Sequence, residues 1–524
     1  MKQTFFVSCL VISIIVNCNQ GASHALQKKD STPKKVAPVY NDPSAKIQDN
    51  SPKNGKKREP PEEIRRLIDQ ARSVPAEFAA DSLIRIAQSD KISDGRLKRE
   101  LLEEAFRSAS YSQQPVRRRY LNYFHVDTRT GNLARAFALQ LDSLSLQCKA
   151  IRAMIQFDKH KARELFSEIP KPRLPALTCA DTLVYDVSDF YDTLKNLVQD
   201  SFTTTEMRYG MHVKFAEPYI GDLTSPLQVA PMAKMVLALK LQSDQQDSLI
   251  DIFSNRLKNI AGDDRSFTFA VRSNADVQEV MKLAEASNKQ SSDQIKLVKA
   301  LQSYLISHLH NTRCADNVAL EVNSGGLPAF VKSFNGKLNS QPYLDGVSPI
   351  SAEDIKASKI EGAGNFYSYW ETPEAKMFLE RIQNLRFGSK KVPLTIEERA
   401  STEWQSAAAT YLGDLARWGA ESESSAADHF HQKSILMVSL IELLPAGTLR
   451  NDALGRFLAF LTGNSFQEES RIEWLDHARY LLRILLSTTR EEERAASLAV
   501  LRNSEEPVLS LYVALEQANL EAKK

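Results

Sequence analysis

Ser291–Asp316 reads SSDQIKLVKALQSYLISHLHNTRCAD. Ile295, Val298, Leu301 and Leu305 recur at steps of three and four, which lays one apolar stripe along a helix. Ser291 with Gln294 three residues on is a capping-box pattern, each side chain suited to satisfy an orphan backbone N–H at the helix start. The predicted helix then runs into His308, His310, Cys314 and Asp316. Upstream, Thr178-Cys179-Ala180-Asp181 repeats the Cys-Ala-Asp tripeptide of residues 314–316. It too precedes an apolar-periodic run: Leu183, Val184, Val187, Phe190 and Tyr191.

Working outward, the same period governs most of the chain from residue 62. Ile64, Leu67, Ile68 and Ala71 make a stripe after Pro61, whose fixed φ suits a first helical position. Further helical runs are predicted over 78–87, 97–106, 116–124, 133–155, 161–169, 183–198, 226–241, 248–260 and 277–286. Pro170-Lys-Pro-Arg-Leu-Pro175 is a stiff non-helical connector. In the last third, Thr372-Pro373 marks a helix start, and Thr395/Glu398, Ser465/Glu468 and Thr488/Glu491 are capping boxes. Gly447 and Gly463 follow apolar runs, as helix ends favour. Residues 268–271 and 318–322 are the only strand-like runs, and both fit within helices. The expected fold is all-α: an irregular α-solenoid-like array of antiparallel helix pairs, curving right-handedly, in two lobes.

Punctuation sets the expected domains. Residues 1–25 read as an export signal, with Lys2, an apolar run from Phe5 to Val16 too short to span a bilayer, and small residues Ser23 and Ala25 before the cut. The rival is a lipoprotein acylated at Cys18, although Asn17 stands where a small residue is usual. Residues 26–61 are a Pro- and Lys-rich linker with too little apolar surface to offset its ordering entropy. A helical-array domain over 62–312 follows. Residues 313–365 are a connector holding six of the nineteen glycines. A second helical domain covers 366–524. No later run is long and apolar enough to be a transmembrane segment.

The net charge of +2, with 25% charged residues, argues against a dedicated nucleic-acid binder. An exported chain meets oxidising conditions, where cysteines pair. Beyond the leader stand Cys148, Cys179 and Cys314. Cys148 sits in an apolar run and suits a buried thiol. Cys179 and Cys314 share a local context and are expected to form a disulfide; the competing reading leaves all three cysteines unpaired.

Strong catalytic signatures are missing from the sequence: no His-Glu-x-x-His, no Gly-x-Ser-x-Gly, no phosphate-cradling Gly-rich loop, no Cys-x-x-Cys, no EF-hand. The catalytic residues are therefore unknown, and no cofactor is expected. His308, His310 and Asp316 are candidate metal ligands by type. Residues two apart on a helix point apart, so the two histidines converge only if the helix ends between them. The competing reading is two histidines at the negative end of a helix dipole. Asp428 and His431 lie three apart on one helical face and could make an acid–base pair, with His429 between them. His477, one turn after Trp474, reads as packing. Phe366, Tyr367, Tyr369 and Trp370, beside the Gly-rich segment, are candidate binding residues for a glycan or peptide; core packing is the plainer reading. Arg117–Arg119 reads as a solvated run, or as an anion site.

These readings point to an extracytoplasmic scaffold or binding protein, because helical arrays offer long faces to extended partners. The expected partner is a protein or an envelope polymer. The alternative is a hydrolase or lyase acting on an envelope or external polymer, with its site near 308–316 and 366–371.

Overall fold

The structure is a computed structural model of the chain. It describes residues 60–120, 129–271, 275–286, 292–311, 313–314, 327–341, 344, 346–356, 359–362, 370–388, 392–419, 426–463, 471–486 and 506–518. The predicted export signal, 1–25, and the predicted linker as far as residue 59 lie outside the described residues. So do Asp316, Phe366, Tyr367, Tyr369, Ser291 and the capping boxes at 465 and 488.

The fold is all-α, and residues Pro61–Lys524 form one compact unit. The first helices are α1 (Glu62–Ser73), α2 (Ala76–Gln88), α3 (Gly95–Ala109), α4 (Arg129–Phe137), α5 (Ser143–Met154), α6 (Lys159–Glu168) and α7 (Ser188–Asp200). Then come α8 (Thr204–Arg208), α9 (Met211–Ile220), α10 (Val229–Ala238), α11 (Ser243–Leu257), α12 (Ser266–Val271), α13 (Ala275–Ala286), α14 (Ser292–His310) and α15 (Ala329–Asn339). The last are α16 (Pro373–Phe387), α17 (Ile396–Arg399), α18 (Thr402–Arg417), α19 (Ala426–Leu443), α20 (Thr448–Gly463), α21 (Arg471–Leu486) and α22 (Pro507–Gln517). Adjacent helices pack as pairs: α1 on α2, α2 on α3, α13 on α14, α18 on α19.

Local chemistry explains the boundaries. The stripe Ile64, Leu67, Ile68 and Ala71 is buried, and it is this face that docks α1. Pro61 serves as the N-cap, one residue earlier than expected. The Thr372 hydroxyl accepts from Ala375 N, with Pro373 as the first helical residue. Thr395 and Glu398 form the expected reciprocal capping box.

Three predicted helices, 116–124, 133–155 and 183–198, gave way in part to strands or a turn. Residues 116–124 hold β1 (Arg118–Tyr120), which pairs antiparallel with β2 (Leu183–Tyr185), Arg119 opposite Val184. The Arg117 guanidinium drives this. It bonds the Asp186 carboxylate at 2.9 Å and Asp189 at 3.2 Å, while Asp186 N donates to Arg117 O. The run 133–155 breaks after α4, where Gln140 turns left-handed at φ 56° and Asp142 caps the next helix by accepting from Ser145 N. Residues 268–271 are helical within α12.

The chain also returns on itself. α22 packs on α1 and α2, and α21 packs on α4. Every residue of α2 from Glu77 to Ala87 is buried, including Glu77, Asp81 and Arg85 on one face. Among the described residues no helix is long and apolar enough to cross a membrane.

Candidate functional site

Cys179 and Cys314 are joined as a disulfide, with their Cα atoms 5.3 Å apart. The Thr178–Asp181 segment is a turn in which the Asp181 carboxylate accepts from Thr178 N at 2.7 Å and from its hydroxyl at 2.8 Å. This geometry presents Cys179 to β3 (Arg313–Cys314), which runs parallel to β4 (Ile360–Glu361). Glu361 in turn accepts from Arg265 at 2.9 and 3.2 Å. Both guanidinium bonds hold that carboxyl below its ordinary value, with Lys359 adding to the effect. Cys148 is free and buried, and burial pushes its thiol up to about 12.

The histidines at the end of α14 are not brought together. The helix continues through His310. His308 is buried, its Nδ1 is 2.9 Å from Tyr304 O, and its ring stacks on Phe267 at 4.7 Å. His310 faces solvent. Burial pushes His308 below the usual imidazole range. One turn earlier, the Tyr304 hydroxyl donates to Asp276 at 2.9 Å, and burial raises that carboxyl to about 7. Among the described residues no group of three ligand-type side chains could hold a metal. Gly262 lets its loop close on α14: a Cβ there would lie 2.3 Å from Asn311 Nδ2 and 2.5 Å from Ser307 Oγ.

Trp370 is 3% exposed, so its ring belongs to the core. Arg117 is enclosed by its own carboxylates, and Arg118 lies 5.6 Å over the Tyr185 ring. The Arg117–Arg119 run is therefore neither fully solvated nor an open anion site.

Two features are more informative. The first is a groove of about 690 Å³ along α16 and α18. Gly388 ends α16 at φ 56°, a left-handed turn that suits glycine, and a Cβ there would press on Leu394 at 3.0 Å. Leu394 N donates back to Arg386 O, so the turn folds over and Leu394 joins the lining. The polar atoms of the floor are already bonded: Trp404 Nε1 donates to Leu385 O, the Tyr411 hydroxyl to Phe378 O, and Arg381 to Asp414. Glu398 and Glu403 also line the groove. On the same stretch of chain, though not in the lining, Met377 is 42% exposed, Val392 61% and Ile396 66%.

The second is a chain of buried groups on α19 and α21. His431 Nδ1 lies 3.1 Å from His477 Nε2, and His431 Nε2 lies 3.5 Å from a Glu473 oxygen. The three are 0%, 4% and 5% exposed. Burial, then His431 and Arg135, push His477 well below its ordinary value. Next to it, Asp476 accepts from Arg135 of α4 at 2.7 Å. Asp428 and His429 are buried on the same first turns of α19. His429 packs on Trp418 and is pushed down to about 4, by burial first and then by Lys433. Lys433 donates to the Ala416 and Trp418 carbonyls that end α18. The sequence singled out Asp428, His429 and His431 but read His477 as packing. Glu473 and His477 lie four apart, one helical face, and that spacing was the missed signal.

Comparison with protein-family models, with curated proteins and with solved structures finds no match to this chain.

Proposed function

We propose that this chain is an extracytoplasmic binding protein, and that the α16–α18 groove receives a segment of a partner protein. The segment is an apolar one that also carries lysine or arginine. One observation carries the reading: the groove is lined by Leu385, Leu394, Ala407 and the Trp404 and Tyr411 rings, whose Nε1 and hydroxyl are already bonded to backbone carbonyls. A concave, mostly apolar face with few polar groups left to satisfy suits an apolar occupant. The charge of the partner follows from the carboxylates. Among the described residues no cation pairs with Glu397, Glu398 or Glu403, whereas Arg381 and Arg417 both pair with Asp414. The Cys179–Cys314 disulfide supports an oxidising compartment, because cytosolic thiols are kept reduced.

The hydrolase or lyase reading has less support. It needs several free titratable groups meeting in an open cavity. Glu398 is engaged by its capping box, and the Glu473–His431–His477 chain is sealed from water.

The test is titration of labelled amphipathic peptides, one lysine-rich and one with the charges reversed, against wild type and an Ala407→Lys, Thr410→Lys variant. Both residues line the groove and are exposed, so folding should survive. The lysine-rich peptide should bind, and the variant should bind it at least about tenfold more weakly, since like charges set against each other at an interface cost several kcal/mol. Equal binding to both proteins, or no preference between the peptides, rejects the groove.

A further inference from the structure

We infer that the buried His431–His477 pair is a proton-sensitive latch that holds α21 in its seat against α19 and α4. The pair bridges α19 and α21 at 3.1 Å, and the same turn of α21 carries Asp476, which bonds Arg135 of α4 at 2.7 Å. Arg135 also donates to Asn132 at 2.8 Å. Helix α4 thus meets α21 through a cation set beside two buried imidazoles.

One proton lies between the two rings at neutral pH. Glu473 lies 3.5 Å from His431 Nε2, which favours the tautomer with the proton on that nitrogen. His431 Nδ1 is then the acceptor and His477 Nε2 the donor. Glu473 stands as a counter-ion beside the His431 ring. A proton on His477 is opposed by its neighbours. The charged groups acting on His477 are His431 from α19 and Arg135 from α4, both unfavourable to a cation. Helix α20 contributes the Leu461 carbonyl, bonded to Trp474 Nε1, and the Phe460 ring; its Asp452 and Arg456 pair with each other at the surface. The closed seam therefore excludes a proton from His477, and a seam opened to water accepts it. Acid drives α21 out of its seat against α19 and α4.

The test is hydrogen exchange on the full chain from about pH 7.5 to about pH 5, corrected for intrinsic rates. Peptides from α4 and α21 should gain about tenfold in opening for each pH unit below about 6.5, the slope of one proton taken up only by the open form. Peptides from α10 and α13 should gain less. In His477→Gln the extra response of α4 and α21 should vanish while their protection at neutral pH stays. A wild-type response equal in all four helices, or none, overturns the latch. If His477→Gln is unfolded at neutral pH by circular dichroism, the wild-type contrast between the two helix pairs decides alone.

Discussion

Removing the Cys179–Cys314 bridge should cost this fold about 4–5 kcal/mol. The two residues are 135 apart in sequence, and a closed loop of that length withholds about 5 kcal/mol of entropy from the unfolded chain at 25 °C. Other contacts at the same place are weak substitutes. The ladder of β3 on β4 is two residues long. The Arg265–Glu361 pair is partly exposed, at 19% and 31%, so solvent screens it. The perturbation is Cys179→Ala with Cys314→Ala, measured by urea unfolding beside oxidised and reduced wild type. The variant and reduced wild type should coincide, both well below the oxidised protein. Coincidence of all three within about 1 kcal/mol would refute the reasoning, because the constraint would then not act on the unfolded chain. Thiol titration of denatured, unreduced protein lacking the leader should find Cys148 alone.

Two further outcomes follow from buried charge. Asp276 keeps its proton to about pH 7 when folded and loses it near its ordinary 3.8 when unfolded. Its raised value thus favours folding least at high pH: each unit between the two values removes about 1.4 kcal/mol, up to about 4 kcal/mol in all. Asp276→Asn should therefore be more stable than wild type above about pH 7 and equal to it near pH 3.5; denaturation at both pH values that finds no such divergence counts against the assignment. Asp81 is the second case. Burial alone would raise it, but Arg85, Lys149 and Arg479 outweigh that and hold the carboxyl below its ordinary value. Asp81→Ala should cost about 3–5 kcal/mol by leaving Arg85 nearly unpaired, and adding Arg85→Leu should recover most of that. Thermal melts showing a loss under about 1 kcal/mol for the single change would contradict the geometry.

Much of the fold was legible because helices bury stripes, and stripes are visible one residue type at a time. The stripe of α1 lies in the core as its spacing implies, and so do Val298, Leu301 and Leu305 of α14, with Ile295 half-buried at the helix start. The disulfide was legible for a different reason: two Cys-Ala-Asp segments in a chain with few cysteines leave few pairings. What escaped were features set by distant partners. The Arg117 region looks helical until Asp186 and Asp189 claim its guanidinium. The groove depends on Gly388 adopting φ 56° and on Leu394 folding back, and neither leaves a periodic trace. His308 and His310 show the limit from the other side: residue type suggested ligands, and helix continuity set one inside and one outside.

The charged face of α2 explains why an irregular array needs polar groups in its interior. Apolar stripes are interchangeable, since most would accept most others, so burial alone gives the last helices no unique place to dock. Glu77, Asp81 and Arg85 recur every four residues and offer partners that few segments can match. Arg471 stands 3.8 Å from Glu77, the Tyr512 hydroxyl donates to Asp81 at 3.1 Å, and Glu516 stands 3.7 Å from Arg85. Tyr512 also packs edge-on against Phe78, with Arg85 and Arg479 over its ring. Sliding α22 by one residue would separate the Asp81 and Arg85 contacts together and leave buried charge uncompensated, a cost of several kcal/mol. The polar face thus fixes register where hydrophobicity cannot.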